Sequence, residues 1–76
     1  SQEGFGEISV YPNPASETIS FRTGQPEVLR LYSLDGQFVE EIISTMGITT
    51  YAIDHLSQGV YILKTQRGYG RFAVTR

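Results

Sequence analysis

Cysteine is absent from this 76-residue chain. No disulfide and no thiolate metal site can therefore support a domain so small. An exported domain need not carry a disulfide, so the count leaves the compartment open. Tryptophan is absent too, and histidine and methionine occur once each. One histidine with scattered acids makes no zinc cluster. Asp35-Gly36 lacks the alternating acids of a calcium loop. No glycine-rich phosphate loop precedes a helix. No apolar run approaches the ~20 residues of a membrane helix. The first seven residues carry two acids and no base, which does not fit a signal peptide. The missing initiator methionine reads as a piece of something longer. Length allows one domain, one that buries only about 60% of its unfolded surface. With 39% apolar and 18% charged residues, the chain should fold.

Charge is small in total, −2, but segregated. Residues 1–63 hold all eight acids against Arg22 and Arg30, while 64–76 hold Lys64, Arg67, Arg71 and Arg76 with no acid. The basic end is either a recognised tail or a set of solvated cations that protect edge strands from aggregation.

Residues 1–6 read as a polar, glycine-containing linker. Alternation and turn residues then predict strands over 7–11, 18–22, 27–32, 37–43, 49–54, 60–66 and 71–75. Segment 37–43 also fits a helical stripe through Phe38, Ile42 and Met46, but its position after Asp35-Gly36 and its β-branched end favour strand. Asp35-Gly36 predicts a two-residue type I′ hairpin. Pro12 and Pro14 fix two φ angles and push Tyr11 and Asn13 toward extended backbone, and Asn13 can cap its own turn. Short strands at 8–12-residue spacing with no helix indicate a β-sandwich or barrel. The inward set predicted by alternation is Val10, Ile19, Phe21, Leu29, Leu31, Leu34, Val39, Ile53, Leu56, Tyr61, Leu63, Phe72 and Val74. At ~1.5–3 kcal/mol each, such a core offsets chain entropy with little surplus.

Candidate chemistry is thin. Asp54-His55 could enter a Ser-His-Asp arrangement, but strand neighbours point to opposite faces and no strained nucleophile turn is present. Glu40 and Glu41 fall on opposite sheet faces and cannot act as an acid–base pair. "RGYGRFAV" begins like an RNA-reading strand, yet Arg71 occupies the stacking aromatic's place and the two accompanying helices are missing. Tyr32 and Tyr51 read either as a sugar- or protein-binding platform or as cross-strand pairs.

Four stretches occur in order: "VYPNPASETISF", "LRLYSLDGQFV", "YAIDHLSQGVYILKT" and a closing "GRFAVTR". Together they resemble the C-terminal sorting domain, type A, of the type IX (Por) secretion system. The likeness rests on Tyr11, Pro12, Asn13 and Pro14; on Leu31-Tyr32-Ser33-Leu34-Asp35-Gly36; and on Leu56-Ser57-Gln58-Gly59-Val60-Tyr61. Arg71 stands where lysine is common in that family, and Ala73 where valine or isoleucine is common.

The resemblance implies an Ig-like, seven-stranded antiparallel β-sandwich over 7–76 and a linker at 1–6 near a cleavage site. It implies a sorting tag with no catalytic role and no cofactor. A fused N-terminal cargo would cross the periplasm of a Gram-negative bacterium and pass the outer-membrane translocon with its shuttle components. A sortase-like cysteine peptidase would then remove the tag, leaving the cargo secreted or on the cell surface. The family's signal lies toward 59–76, which maps onto Gly59, Tyr61, Lys64, Arg71 and Arg76, with Asp35 and Gly36 marking the hairpin. On this reading the proline motif serves folding, and recognition falls on the basic end. No nucleic acid or membrane span is expected. Exposed first and last strands would permit a strand-swapped homodimer. The competing reading is an Ig-like adhesive or glycan-binding module, which would need an exposed aromatic cluster and no particular position in its parent.

Overall fold

The computed structural model describes residues 6–66 and 68–76. Residues 1–5 of the expected linker and Arg67 of the basic end lie outside that set. The fold is all-β, with no helix among the described residues. In chain order the elements are β1 (Gly6–Glu7), β2 (Thr18–Thr23), β3 (Val28–Ser33), β4 (Phe38–Ile43), β5 (Gly47–Ala52), β6 (Gly59–Lys64) and β7 (Gly68–Val74). Six of them form two antiparallel sheets. The larger has the order β7-β6-β3-β4, with the two-residue β1 added parallel to β7; the smaller pairs β2 with β5.

Period-two alternation places one face of each sheet inward. Ile19 and Phe21 from the small sheet meet Leu29, Leu31, Ile42, Leu63, Phe72 and Val74 from the large one in a single apolar cluster. Each fully buried side chain of this kind contributes roughly 1.5–3 kcal/mol. Two polar residues are buried with them, and both are satisfied. Thr23 Oγ1 lies 3.1 Å from Ser44 Oγ and donates to the Thr45 carbonyl at 2.8 Å. Ser44 Oγ accepts from the Glu27 amide at 3.1 Å. This short hydroxyl chain ties the end of β2 to the approaches of β3 and β4 with its own hydroxyls paired, while Glu27 Oε1 beside it is buried without a hydrogen-bond partner among the described residues.

Several expectations shift. The run expected at 7–11 keeps only Glu7 in a ladder, because the chain leaves the large sheet there: Ile8 N donates to Tyr69 O at 2.9 Å, and three residues later Tyr11 pairs with Ser20 of the small sheet. Segment 37–43 is strand, as its position after Asp35-Gly36 predicts. The hairpin before it is not type I′. Gly36 alone has positive φ, at 95°, and Gly36 N donates to Ser33 O at 2.9 Å. A type I turn over Leu34 and Asp35 therefore precedes a left-handed glycine, and a separate bulge at Val39 shifts the ladder between Leu31 and Tyr32. Leu34, expected inside, sits on this turn and is 59% exposed. Val39 is only half-buried on the edge strand, while Ala15 and Ile42 join the core. Gly68-Tyr69-Gly70 is not a turn but the start of β7, and the reversal is made by Thr65, whose amide donates to Gly68 O at 2.8 Å.

Candidate functional site

β7 would be an open sheet edge if β1 were its only outer neighbour, since β1 covers two residues. The segment after β1 finishes the job. Asn13 does not cap its own turn, as expected, but reaches β7: its Oδ1 accepts the Ala73 amide at 3.0 Å and its Nδ2 donates to the Arg71 carbonyl at 3.4 Å. One side-chain amide thus supplies the donor and acceptor a neighbouring strand would have supplied. Backbone pairing resumes at Ala15, whose amide donates to Ala73 O and whose carbonyl accepts from Thr75 N, both at 2.8 Å. Pro12 and Pro14, each joined through a cis peptide bond, bracket the asparagine and ask for no amide donors of their own.

Gly70 makes the other half of this contact. A Cβ there would lie 2.4 Å from the Ile8 carbonyl oxygen and 3.0 Å from Val10 Cγ2. The glycine of "RGYGRFAV" therefore marks close backbone approach. Phe72, in the same stretch, is buried and stacks on Tyr61 with centroids 5.8 Å apart, so it presents no face to a base.

The second cluster gathers at the C-terminal end of β7. Leu56 is buried, and Tyr61 Oη donates to Ser57 O at 2.7 Å, which sets the loop before β6. Arg76 closes over that loop. Its Nη2 donates to the carbonyls of Ile53 and Leu56, each at 2.6 Å, its Nε to Leu56 O at 3.2 Å, and its Nη1 to Ser16 O. Its amide meets Gln58 Oε1 at 3.3 Å. The guanidinium fork binds several carbonyls at once, which an ammonium could not. The hairpin lies at the same end, for Leu34 N donates to Val60 O at 3.1 Å. Ser33 Oγ donates to Asp35, and that bond is the main reason the Asp35 carboxyl titrates below its ordinary range.

Tyr11, Pro12, Asn13, Pro14, Gly59, Tyr61, Arg71 and Arg76 thus converge around β7, with Asp35 and Gly36 on the adjoining hairpin. Lys64 stands apart, at the other end of β6, with Nζ 5.5 Å from the Tyr32 ring centroid. His55 enters no nucleophile arrangement. Its Nε2 lies 3.0 Å from Glu40 Oε2 and its Nδ1 3.8 Å from Asp54 Oδ1, so a carboxylate occupies the place a serine would need. Tyr51 Oη donates to the same Glu40. Burial first, then that carboxylate, push the Tyr51 hydroxyl up to about 12.

The family model for the secretion system C-terminal sorting domain matches residues 9–74. The chain belongs to that family. No curated protein and no solved structure matched it. The matched span runs from Ser9 to Val74, so it takes in the cluster of Asn13 on β7 and the loop before β6, but not Arg76. Membership indicates a C-terminal sorting signal of type IX secretion, which implies export to the cell surface or outside. One member of the β7 site carried a readable signal that pattern reading took for a turn. A glycine inside a strand signals close approach, which identifies Gly70. Arg76 has no local signal, because its carbonyl partners lie 20, 23 and 60 residues away.

Proposed function

We propose that this sorting domain carries an N-terminally fused cargo from the periplasm of a Gram-negative bacterium through the type IX outer-membrane translocon. The scaffold is an Ig-like sandwich whose seventh strand is reduced to β1. A sortase-like cysteine peptidase then cuts in the segment before β1, and the cargo is coupled to the surface or released. The observation that supports this best is the family match over 9–74, a span in which Tyr11–Pro14 packs along β7 and Gly59–Tyr61 pairs with it. A tag that must be recognised as a folded unit gains from having its markers in one place. The segment before β2 and the L-x-x-G-x-Y loop also tie residues 71–76 to the rest of the fold.

The test is export of a fluorescent protein bearing an inner-membrane export signal and residues 1–76 at its C-terminus, in a host with a working type IX system. Fluorescence on the surface or in the medium, dependent on residues 1–76, is the expected result. Retention in the periplasm with the domain folded would overturn the reading in favour of an adhesive module.

A further inference from the structure

The basic end of the sequence is not a tail in the structure. Arg76 is spent on the carbonyls of Ser16, Ile53 and Leu56. Lys64 and Arg71 instead stand on the outer face of the large sheet, and Arg30, from far earlier in the chain, joins them. Register fixes two cross-strand rows on that face: Glu41–Arg30–Lys64–Tyr69 and Phe38–Tyr32–Ile62–Arg71. Among the described side chains its three cations meet one acid, Glu41, on a chain whose net charge is −2.

Arg30 and Lys64 are direct cross-strand partners. Like charges placed so destabilise a sheet. The fold offers little relief: the Arg30–Glu41 pair is 3.5 Å apart with both side chains at least half exposed, and Lys64 has only the Tyr32 ring. Places where a sequence breaks a local rule without compensation are where function is expected. Between the two cations lies a groove of about 330 Å³ lined by Val28, Arg30, Tyr32, Lys64, Thr65 and Gln66.

We propose that this groove docks an extended acidic segment of a partner protein, one carboxylate seating between Arg30 and Lys64. Along β3 the outward residues run Val28, Arg30, Tyr32: apolar, cation, aromatic. An extended segment repeats its side chains at the same two-residue period, about 6.6–6.8 Å. A carboxylate flanked by two apolar side chains therefore matches the groove in spacing as well as charge. A continuous anionic membrane surface fits less well, because it would also meet Glu41 in the same row. The proposal rests on the sorting reading only in placing the partner within the export machinery.

Two experiments separate them. In the first, the ¹⁵N-labelled domain is titrated with the capped pentapeptide Leu-Ser-Glu-Ser-Leu, whose alternate positions set leucine, glutamate and leucine on one face. Saturable shifts confined to outward positions of β3 and β6 are expected, with binding at least tenfold weaker for Leu-Ser-Gln-Ser-Leu and for the folded double variant Arg30→Glu/Lys64→Glu. No saturable shift at millimolar peptide, shifts elsewhere, or equal response to Leu-Ser-Gln-Ser-Leu would overturn the proposal. So would phosphatidylglycerol vesicles binding where the peptide does not. In the second, the double variant is placed in the export reporter and should lower surface fluorescence about tenfold. Equal export of wild type and variant would sink the docking surface alone. Retention of the wild type would sink the sorting reading and leave the titration to decide the groove.

Discussion

At the β7 edge of the large sheet the finishing is done by backbone and by residues that govern backbone: Pro12 and Pro14, the Asn13 amide, the Ala15 bridge and the absent Cβ of Gly70. At the β4 edge it is done by side chains. Glu40 reaches across to Tyr51 of the small sheet and to His55, while Phe38 and Ile43 remain exposed on the edge strand itself. Both solutions blunt an unpaired strand. They differ in tolerance. A backbone contact fixes position to within a fraction of an ångström and fails when an atom is added. An exposed polar cluster can rearrange, and water can replace its members. The Tyr11–Pro14 segment lies at the rigid edge, and the cluster of Glu40, Tyr51 and His55 lies at the tolerant one.

The comparison is broken most directly at Gly70. Gly70→Ala adds a Cβ against the Ile8 carbonyl, which is backbone and cannot swing aside, and against Val10 Cγ2. Overpacking of this kind costs about 1–3 kcal/mol, and the upper part of the range is expected here. Urea unfolding checks it: the midpoint should fall with the slope unchanged. A loss below about 0.5 kcal/mol would mean that the crossing segment is not held to β7. Asn13→Ala comes next. It leaves the Ala73 amide without its partner at an exposed position where water can help, so a loss of about 1 kcal/mol is expected. Asn13→Asp keeps the acceptor for Ala73 and loses the donor to Arg71, and should recover most of that loss. If the two variants are equally destabilised, the 3.4 Å bond to Arg71 matters more than its length suggests.

The same contrast explains what could be read from the chain. Strand positions were legible because alternation reports burial directly: Leu29 and Leu31, or Phe72 and Val74, can face only one way once their neighbours are polar or basic. Leu34 defeated that logic because a turn residue has no period to obey. The type I′ expectation failed because dipeptide preference was read without loop length, and Leu34 adds a third residue to the turn. The clustering of Asn13, Gly70 and Arg76 was not legible at all. Each acts on partners distant in sequence, and pairing between remote segments leaves no local composition signal. The motif spelled out in Tyr11-Pro12-Asn13-Pro14 pointed to a corner, but the strand it serves is sixty residues away.

Tyr51 tests the tolerant edge. Tyr51→Phe removes only the hydroxyl that donates to Glu40, so about 0.5–1 kcal/mol is at stake. The sign of its pH dependence is fixed by direction. The hydroxyl titrates higher in the folded state, near 12, than its ordinary value of 10. Its contribution is therefore complete below pH 10 and is lost as pH rises through 12. Wild type should lose stability relative to Tyr51→Phe between pH 10 and 12, and thermal unfolding across that window is the measurement. Parallel curves would show that the Glu40 contact adds nothing in solution.

Asp35 carries the smallest effect, because its carboxylate stands in solvent on the hairpin turn. Its carboxyl titrates below the ordinary 3.8, chiefly through the Ser33 hydroxyl, so the sign is opposite to that of Tyr51. Its contribution is present above pH 3.8 and disappears as pH falls through the lowered value. Asp35→Asn keeps a side-chain oxygen for Ser33 but has no charge to lose. Wild type should therefore be slightly more stable at neutral pH, and the difference should vanish in acid. The hairpin amides of Gly36 and Gln37 offer a local readout by hydrogen exchange: Gly36 donates to Ser33 O and Gln37 to Ser33 Oγ. If their protection in the wild type does not change across the acid range, the turn is held by the Gly36 conformation alone. Asp35 would then behave like the rest of the β4 edge, to which its hairpin leads.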